Sequence, residues 1–178
     1  MGIQIGARPD SGFDDPIGML KDCHRRIEQF LNVLCLVVER APQRRLTDEE
    51  RDAVQSALHY FRVGGQRHTA DEEQSLFPRM RAEKASAGAM KEIEALEADH
   101  REANDLHLAV ERLYTTWSEG RPLSSEDEQR LCAATQRLKQ LYEGHIKIEE
   151  NLVFPRAAES LGAQEIAAIG AEFRERRK

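Results

Sequence analysis

Residues His68–Pro78 read HTADEEQSLFP, and residues His145–Pro155 read HIKIEENLVFP. Both are His-x-x-x-Glu-Glu-x-x-(Leu/Val)-Phe-Pro, and the leading histidines stand 77 positions apart, at 68 and 145. A shorter echo precedes each copy: Cys23-His24-Arg25 and Asp99-His100-Arg101, 76 positions apart. The lone histidine leads its motif by 44 residues in one half and 45 in the other. The chain therefore reads as a duplicated helical hairpin in which each half supplies His…HxxxE. Two such hairpins packed about a pseudo-twofold axis make an up-down-up-down four-helix bundle. At about 1.5 Å of rise per residue, matched spacing returns the chain to a similar depth each time, so all four histidines can meet at one level.

Working outward, the apolar periodicity predicts an all-α fold with four long helices and a short C-terminal fifth. The first opens at Asp15-Pro16, a capping residue before a proline at the first helical position. Its stripe is Ile17, Leu20, His24, Ile27, Leu31, Leu34 and Val38. The second opens on a Thr47/Glu50 capping box and carries Val54, Leu58, Phe61, Gly65, His68, Glu72 and Leu76, with Pro78 marking an end or a kink. The third begins near Ser86 to Ala89 and carries Ile93, Leu96, His100, Ala103, His107, Val110, Tyr114 and Trp117. The fourth opens on a Ser125/Glu128 capping box, carries Leu131, Ala134, Leu138, Leu141, His145, Glu149 and Leu152, and closes at Pro155. The segment from Gln164 to Arg177 forms a last amphipathic helix with Ile166, Ile169 and Phe173 on one face. The expected division is an N-terminal tail over 1–14, a bundle over 15–157 and a helical extension over 158–178.

Composition narrows the function classes. The 178 residues suit one domain, and 26 basic against 32 acidic residues give a net charge of −6. The basic residues are scattered along polar faces, which argues against a nucleic-acid partner. The longest apolar run, Val33–Val38, is too short to cross a bilayer, and the N-terminus lacks the layout of a signal peptide. Cys23, Cys35 and Cys132 are odd in number and unpaired in spacing, so they read as reduced thiols of a cytoplasmic protein.

The motif dictates a particular chemistry. His and Glu at i and i+4 share a helix face, with Cβ atoms about 5–6 Å apart. Two glutamates on core-facing stripes at one level repel, and each costs several kcal/mol if buried ionised and unpaired. They must be protonated or meet cations. A dinuclear site satisfies them, each carboxylate bridging two metals and each metal collecting imidazole nitrogens. Mixed imidazole and carboxylate ligation with open positions favours non-haem iron, with manganese and zinc as alternatives. A zinc-protease HExxH is absent, and only Glu97–His100 fits the ExxH spacing of ferritin-like sites, which need two.

With these residues in place, the chain resembles the hemerythrin-like HHE cation-binding domain over roughly residues 15–155. The signature is His24, His68-xxx-Glu72, His100 and His145-xxx-Glu149, each HxxxE followed by Leu-Phe-Pro or Val-Phe-Pro. The resemblance implies two iron ions (Fe2+/Fe3+) joined by an oxo or hydroxo group, with both glutamates as bridges. Oxygen-carrying hemerythrins have a further histidine four residues after the third-helix ligand, where this chain has Asn104. Their fourth helix uses an aspartate five residues after its histidine, whereas Glu149 here stands at +4. Bacterial iron-sulfur repair proteins and eukaryotic iron-sensing domains, which use HxxxE twice, are closer. Both carry additional regions that this chain lacks.

The reading that follows is a protein binding or reacting with dioxygen, peroxide or nitric oxide. Iron storage, iron donation or iron-sulfur repair is one alternative, and a metal-gated module whose last helix docks a partner is another. No catalytic residue is assigned. Of the remaining polar residues, Glu73 and Glu150 are expected at the surface or behind a ligand histidine, and His107 buried with a hydrogen-bond partner. Tyr142 is expected in ordinary packing, Glu28 paired with an arginine, His59 exposed, and Gly64-Gly65 at a close helix approach.

Overall fold

In a computed structural model, residues 10–83 and 88–178 are described, and they are helical without strands. Helix α1 is Pro16–Arg40. Helix α2 is one rod made of Asp48–Tyr60, Gln66–Asp71 and Phe77–Ala82, joined by π turns at Phe61–Gly65 and Glu72–Leu76. Helix α3 is Met90–Ser118. Helix α4 joins Ser125–Ile148 to Phe154–Ser160 through a π turn at Glu149–Val153. Helix α5 is Ala163–Glu175. Packing of α1 on α2, α2 on α3, α3 on α4 and α4 on α1 closes the bundle. No described helix is long and apolar enough to cross a membrane.

Local chemistry sets the helix starts. Asp15 accepts from the Gly18 N–H with Pro16 behind it, and Thr47 and Glu50 form the reciprocal capping box. The start of α4 differs from expectation by one residue. Ser124 is the cap and accepts from the Asp127 N–H, while Glu128 accepts from Gln43, whose backbone sits at φ 57 in the α1–α2 turn. The expected start of α3 near residue 86 falls partly on residues 84–87, outside the described ones.

Pro78 and Pro155 do not end their helices. A proline inside an α-helix clashes with the carbonyl four residues back. Here the turn before each proline is widened: the Phe77 N–H bonds to the Glu72 carbonyl and the Phe154 N–H to the Glu149 carbonyl, five residues back. The wider turn accommodates the ring and the helix runs on. It also shifts the facing by one residue. Val153, not Leu152, is buried, and Leu152 is 39% exposed. Gly64 and Gly65 lie in the other π turn, where an added Cβ would meet only Tyr60 or Phe61 of the same helix, so no close helix approach explains them.

Two apolar clusters fill the bundle. One holds Ile27, Leu31, Phe61, Ala103, Tyr114, Trp117 and Ile146; the other holds Leu20, Leu76, Phe77, Leu96, Val153, Phe154, Ile169 and Phe173. Buried Tyr114 donates to the Leu34 carbonyl (2.5 Å) and Trp117 to the Arg44 carbonyl (2.8 Å), so their polar ends are satisfied. Helix α5 caps the second cluster with Ile169 and Phe173, as its amphipathic pattern predicts. Residues 10–14 dock there too. The Ser11 N–H donates to Asp22 (2.5 Å), and a Cβ on Gly170 would fall 1.8 Å from the Phe13 carbonyl oxygen, so glycine is required at that crossing.

The shifted register has a measurable consequence. Val153→Ala is expected to cost about 1.5 kcal/mol or more, because it removes buried methyls, whereas Leu152→Ala stays within about 0.5 kcal/mol. Urea denaturation of the two variants checks this, and the reverse ranking would restore an unbroken α-helical register.

Candidate metal centre

A polar layer separates the two apolar clusters. Each helix enters it from one cluster and leaves into the other: Leu20–His24–Ile27 on α1, Phe61–His68–Glu72–Leu76 on α2, Leu96–His100–Ala103 on α3 and Ile146–Glu149–Val153 on α4. The structure brings all six expected site residues together there. His24, His68, His100 and His145 are at most 9% exposed, and Glu72 and Glu149 are fully buried.

The ligand-type atoms fall into two sets that share both glutamates. His24, His68, Glu72 and Glu149 form one set, and His100, His145, Glu72 and Glu149 form the other, with ligand atoms within 4.8 Å of one another in each. Each carboxylate is divided between the sets. Glu72 turns Oε1 to His68 Nε2 (3.3 Å) and Oε2 to His100 Nε2 (3.3 Å). Glu149 turns Oε2 to His24 Nε2 (3.0 Å) and Oε1 to His145 Nε2 (3.2 Å). All eight of these inward atoms are buried without a hydrogen-bond partner among the described residues. Two donors bonded to one cation at about 2.1 Å and at right angles lie about 3 Å apart. The spacing is thus that of atoms arranged round a common cation. This donor set fits a pair of metal ions.

The electrostatics describe the same strain. Burial, together with the Glu149 charge, pushes the Glu72 carboxyl well above the usual range. Burial acts upward on Glu149 as well, but the His145 charge and the close approach of the His145 and His24 rings outweigh it and hold Glu149 well below that range. Burial drives His68 down, and the neighbouring His24 adds to the effect. Two carboxyls in one dry layer cannot both ionise freely without compensating charge.

Behind the layer, the second glutamate of each motif supports a histidine of the neighbouring helix. Glu150 Oε1 lies 2.8 Å from His24 Nδ1, and Glu73 Oε1 lies 2.8 Å from His100 Nδ1. The Phe of each Phe-Pro stacks on the same rings, Phe154 on His24 (5.4 Å, 12°) and Phe77 on His100 (6.3 Å, 12°). Sequence reasoning allowed for the glutamates and missed the phenylalanines, although their repetition was visible. It also missed Asp99, which lies 3.4 Å from His145 Nδ1. A further missed feature is Asp71, fully buried beside Glu72 and paired with Arg176 (2.8 Å) and Arg177 (2.6 Å) from the end of α5.

A groove of about 210 Å³ leads from the surface between α2 and α3 to His100, lined by Phe61, Gly65, Asn104, His107 and Tyr142 among others. His107 is half-buried and shares a hydrogen bond with Tyr142 (3.1 Å). Glu28 is exposed and makes no ion pair among the described residues, so the expected arginine partner is not there; its neighbours across a shallow pocket are Asn32, Lys139 and Tyr142. His59 is exposed, as expected.

His107 yields a pH prediction. Burial holds its imidazole down at about 4, against an ordinary 6.5. Its folded value lies below its unfolded one, so its contribution is whole above the unfolded value and is lost as pH falls toward the folded one. His107→Gln is expected to lose less stability than the parent between pH 6.5 and about 4.5. Urea denaturation across that range reads this, and parallel pH curves for the two proteins would contradict it.

Comparison with known proteins agrees with this layout. No curated protein matches the chain. Residues 15–166 match the family model described as the hemerythrin HHE cation-binding domain. That match spans all four bundle helices and the six converging side chains, and the chain belongs to the hemerythrin HHE cation-binding family.

Proposed function

We propose that the chain is a non-haem di-iron protein that reacts with a small oxidant or radical: dioxygen, peroxide or nitric oxide. His24 and His68 would hold one iron and His100 and His145 the other, with Glu72 and Glu149 offering an oxygen to each. The observation carrying this reading is the set of eight buried, unpartnered ligand atoms, with each carboxylate offering one oxygen to each histidine pair. Imidazole and carboxylate donors with free positions suit iron over the softer or more oxygen-loving metals. When bound, iron supplies Lewis acidity and one-electron redox chemistry.

The protein's own residues supply the rest. Two imidazoles and two shared carboxylates would leave each ion short of a full shell, with room for a small molecule beside them. The position where the oxygen carriers place another histidine is Asn104, and it lines the groove that reaches His100. Space that would otherwise hold a ligand ring is therefore part of the access route. The groove is smaller than the usual 300–1,000 Å³ of drug-sized sites, which suits a diatomic or peroxide ligand. Phe61 makes one wall apolar, and Tyr142 and His107 place a hydrogen-bonding pair along it.

One observation favours a second reading, in which the site gates the last helix. The Arg176 and Arg177 guanidiniums clamp Asp71, the residue before Glu72, so filling the layer would stiffen the surface on which α5 sits. Hydrogen exchange over residues 160–178, with and without metal, separates the two readings.

The direct test is metal analysis of protein purified anaerobically, with an absorption spectrum of the oxidised form. Two irons per chain, the bands of a coupled ferric pair, and consumption of hydrogen peroxide or nitric oxide by the reduced protein are expected. Glu149→Ala, which removes one shared carboxylate, is expected to abolish the coupled bands. A monomeric metal spectrum in the parent, or a reduced protein forming a stable oxygen adduct through many reversible cycles, would overturn the proposal. Iron accumulating far beyond two per chain would point to storage instead.

A further inference from the structure

The repeat builds the two halves of the layer alike, but it does not back them alike. In the His100/His145 set both outer nitrogens meet carboxylates, His100 Nδ1 on Glu73 (2.8 Å) and His145 Nδ1 on Asp99 (3.4 Å). In the other set His24 Nδ1 meets Glu150 (2.8 Å), but His68 Nδ1 is buried and has no hydrogen-bond partner among the described residues.

The repeat explains the gap. Asp99 stands immediately before His100, and the corresponding residue before His24 is Cys23. Cys23 is a buried thiol, so this position has no carboxylate to offer. Two buried carboxylates near Cys23 are taken up elsewhere, Asp71 by Arg176 and Arg177, and Asp22 by Arg25 and the Ser11 N–H. Among the described residues, three of the four imidazoles therefore have an anionic acceptor and His68 has none.

An anionic acceptor on the outer nitrogen fixes the tautomer and ring orientation of a ligating histidine and strengthens its inner nitrogen as a donor. Losing such a partner typically costs 10–100-fold in metal affinity. We infer that the two metal positions are unequal: the His100/His145 position is the tight one, and the His24/His68 position is the exchangeable one, because Cys23 stands where the repeat has Asp99. This rests on the dinuclear reading proposed above. It adds an order to loading and release, with one ion retained while the other comes and goes.

The test is a competition titration of the reduced, iron-loaded full chain with a ferrous chelator under anaerobic conditions. The parent is expected to give up its irons in two steps, with midpoints separated by about tenfold or more. Shared bridges alone can also split two steps, so the variants decide. Asp99→Asn, which removes the backing of His145, is expected to collapse the separation by weakening the tight position. Cys23→Asp is expected to collapse it by tightening the labile one. His68→Ala should keep a single tightly held ion, and His145→Ala a single weakly held one. Circular dichroism checks that each variant folds; a buried carboxylate at position 23 is the harsher change, so Asp99→Asn decides alone if that variant fails. Loss of both irons in one step from the parent, or an unchanged separation in Asp99→Asn, overturns the inference. A chain that never holds a metal pair fails the dinuclear reading itself, a distinguishable result.

Discussion

Glu72 and Glu149 meet in the middle of the bundle with no exposure to water, and the rest of the interior is arranged round that contact. Removing an ionised carboxylate from water costs several kcal/mol even after the protein relaxes, and two in one layer repel as well. The four imidazoles turn their Nε2 atoms toward these oxygens and bring no compensating charge unless protonated. Burial resists protonation of His68 and His100, whereas the Glu149 charge draws His145 up against its burial and so serves that glutamate alone. A pair of cations would resolve the conflict for both carboxylates and all four rings together. No single ion pair within the layer does so.

The surrounding structure reads as support for that layer. Each motif contributes two ligand-type side chains inward, a glutamate that braces a ring on the next helix, and a phenylalanine that stacks on the same ring. The π turn that begins at each buried glutamate lets the following proline stay inside a continuous helix. Sequence, backbone and site are coupled here: the Phe-Pro that forces the turn also supplies the ring that packs against the histidine. Since apolar clusters lie on both sides of the layer, the histidines have little freedom to leave it.

Duplication explains the symmetry, and divergence within the copies explains where function is added. The third helix has Asn104 one turn beyond His100, where it lines the groove. The residue before each lone histidine is acidic in one copy and a thiol in the other, which leaves one imidazole unsupported. The residue before the first shared glutamate is Asp71, whose counterpart is Ile148. Only the acidic one is clamped by the C-terminal arginines. A site that looks twofold at its centre is thus asymmetric one shell out.

The fold class and the six converging residues could be read from the chain alone, because a repeated HxxxE at matched spacing carries both its helical face and its depth. Periodicity of 3.6 places His24 and His100 in core stripes with no knowledge of their neighbours, and the Thr47/Glu50 cap is wholly local. Relations between helices were out of reach. Which histidines pair across the two glutamates, which glutamate braces which ring, and the docking of Arg176 and Arg177 on Asp71 join residues up to 126 positions apart. The π turns were equally hidden, since Pro78 read locally as an end or a kink and Pro155 as a stop, and only the packed interior makes a widened, continuing turn the lower-energy path. The linear pattern determined which side chains enter the layer; the tertiary structure decided which atoms face one another there, because burial and charge act through space and not along the chain.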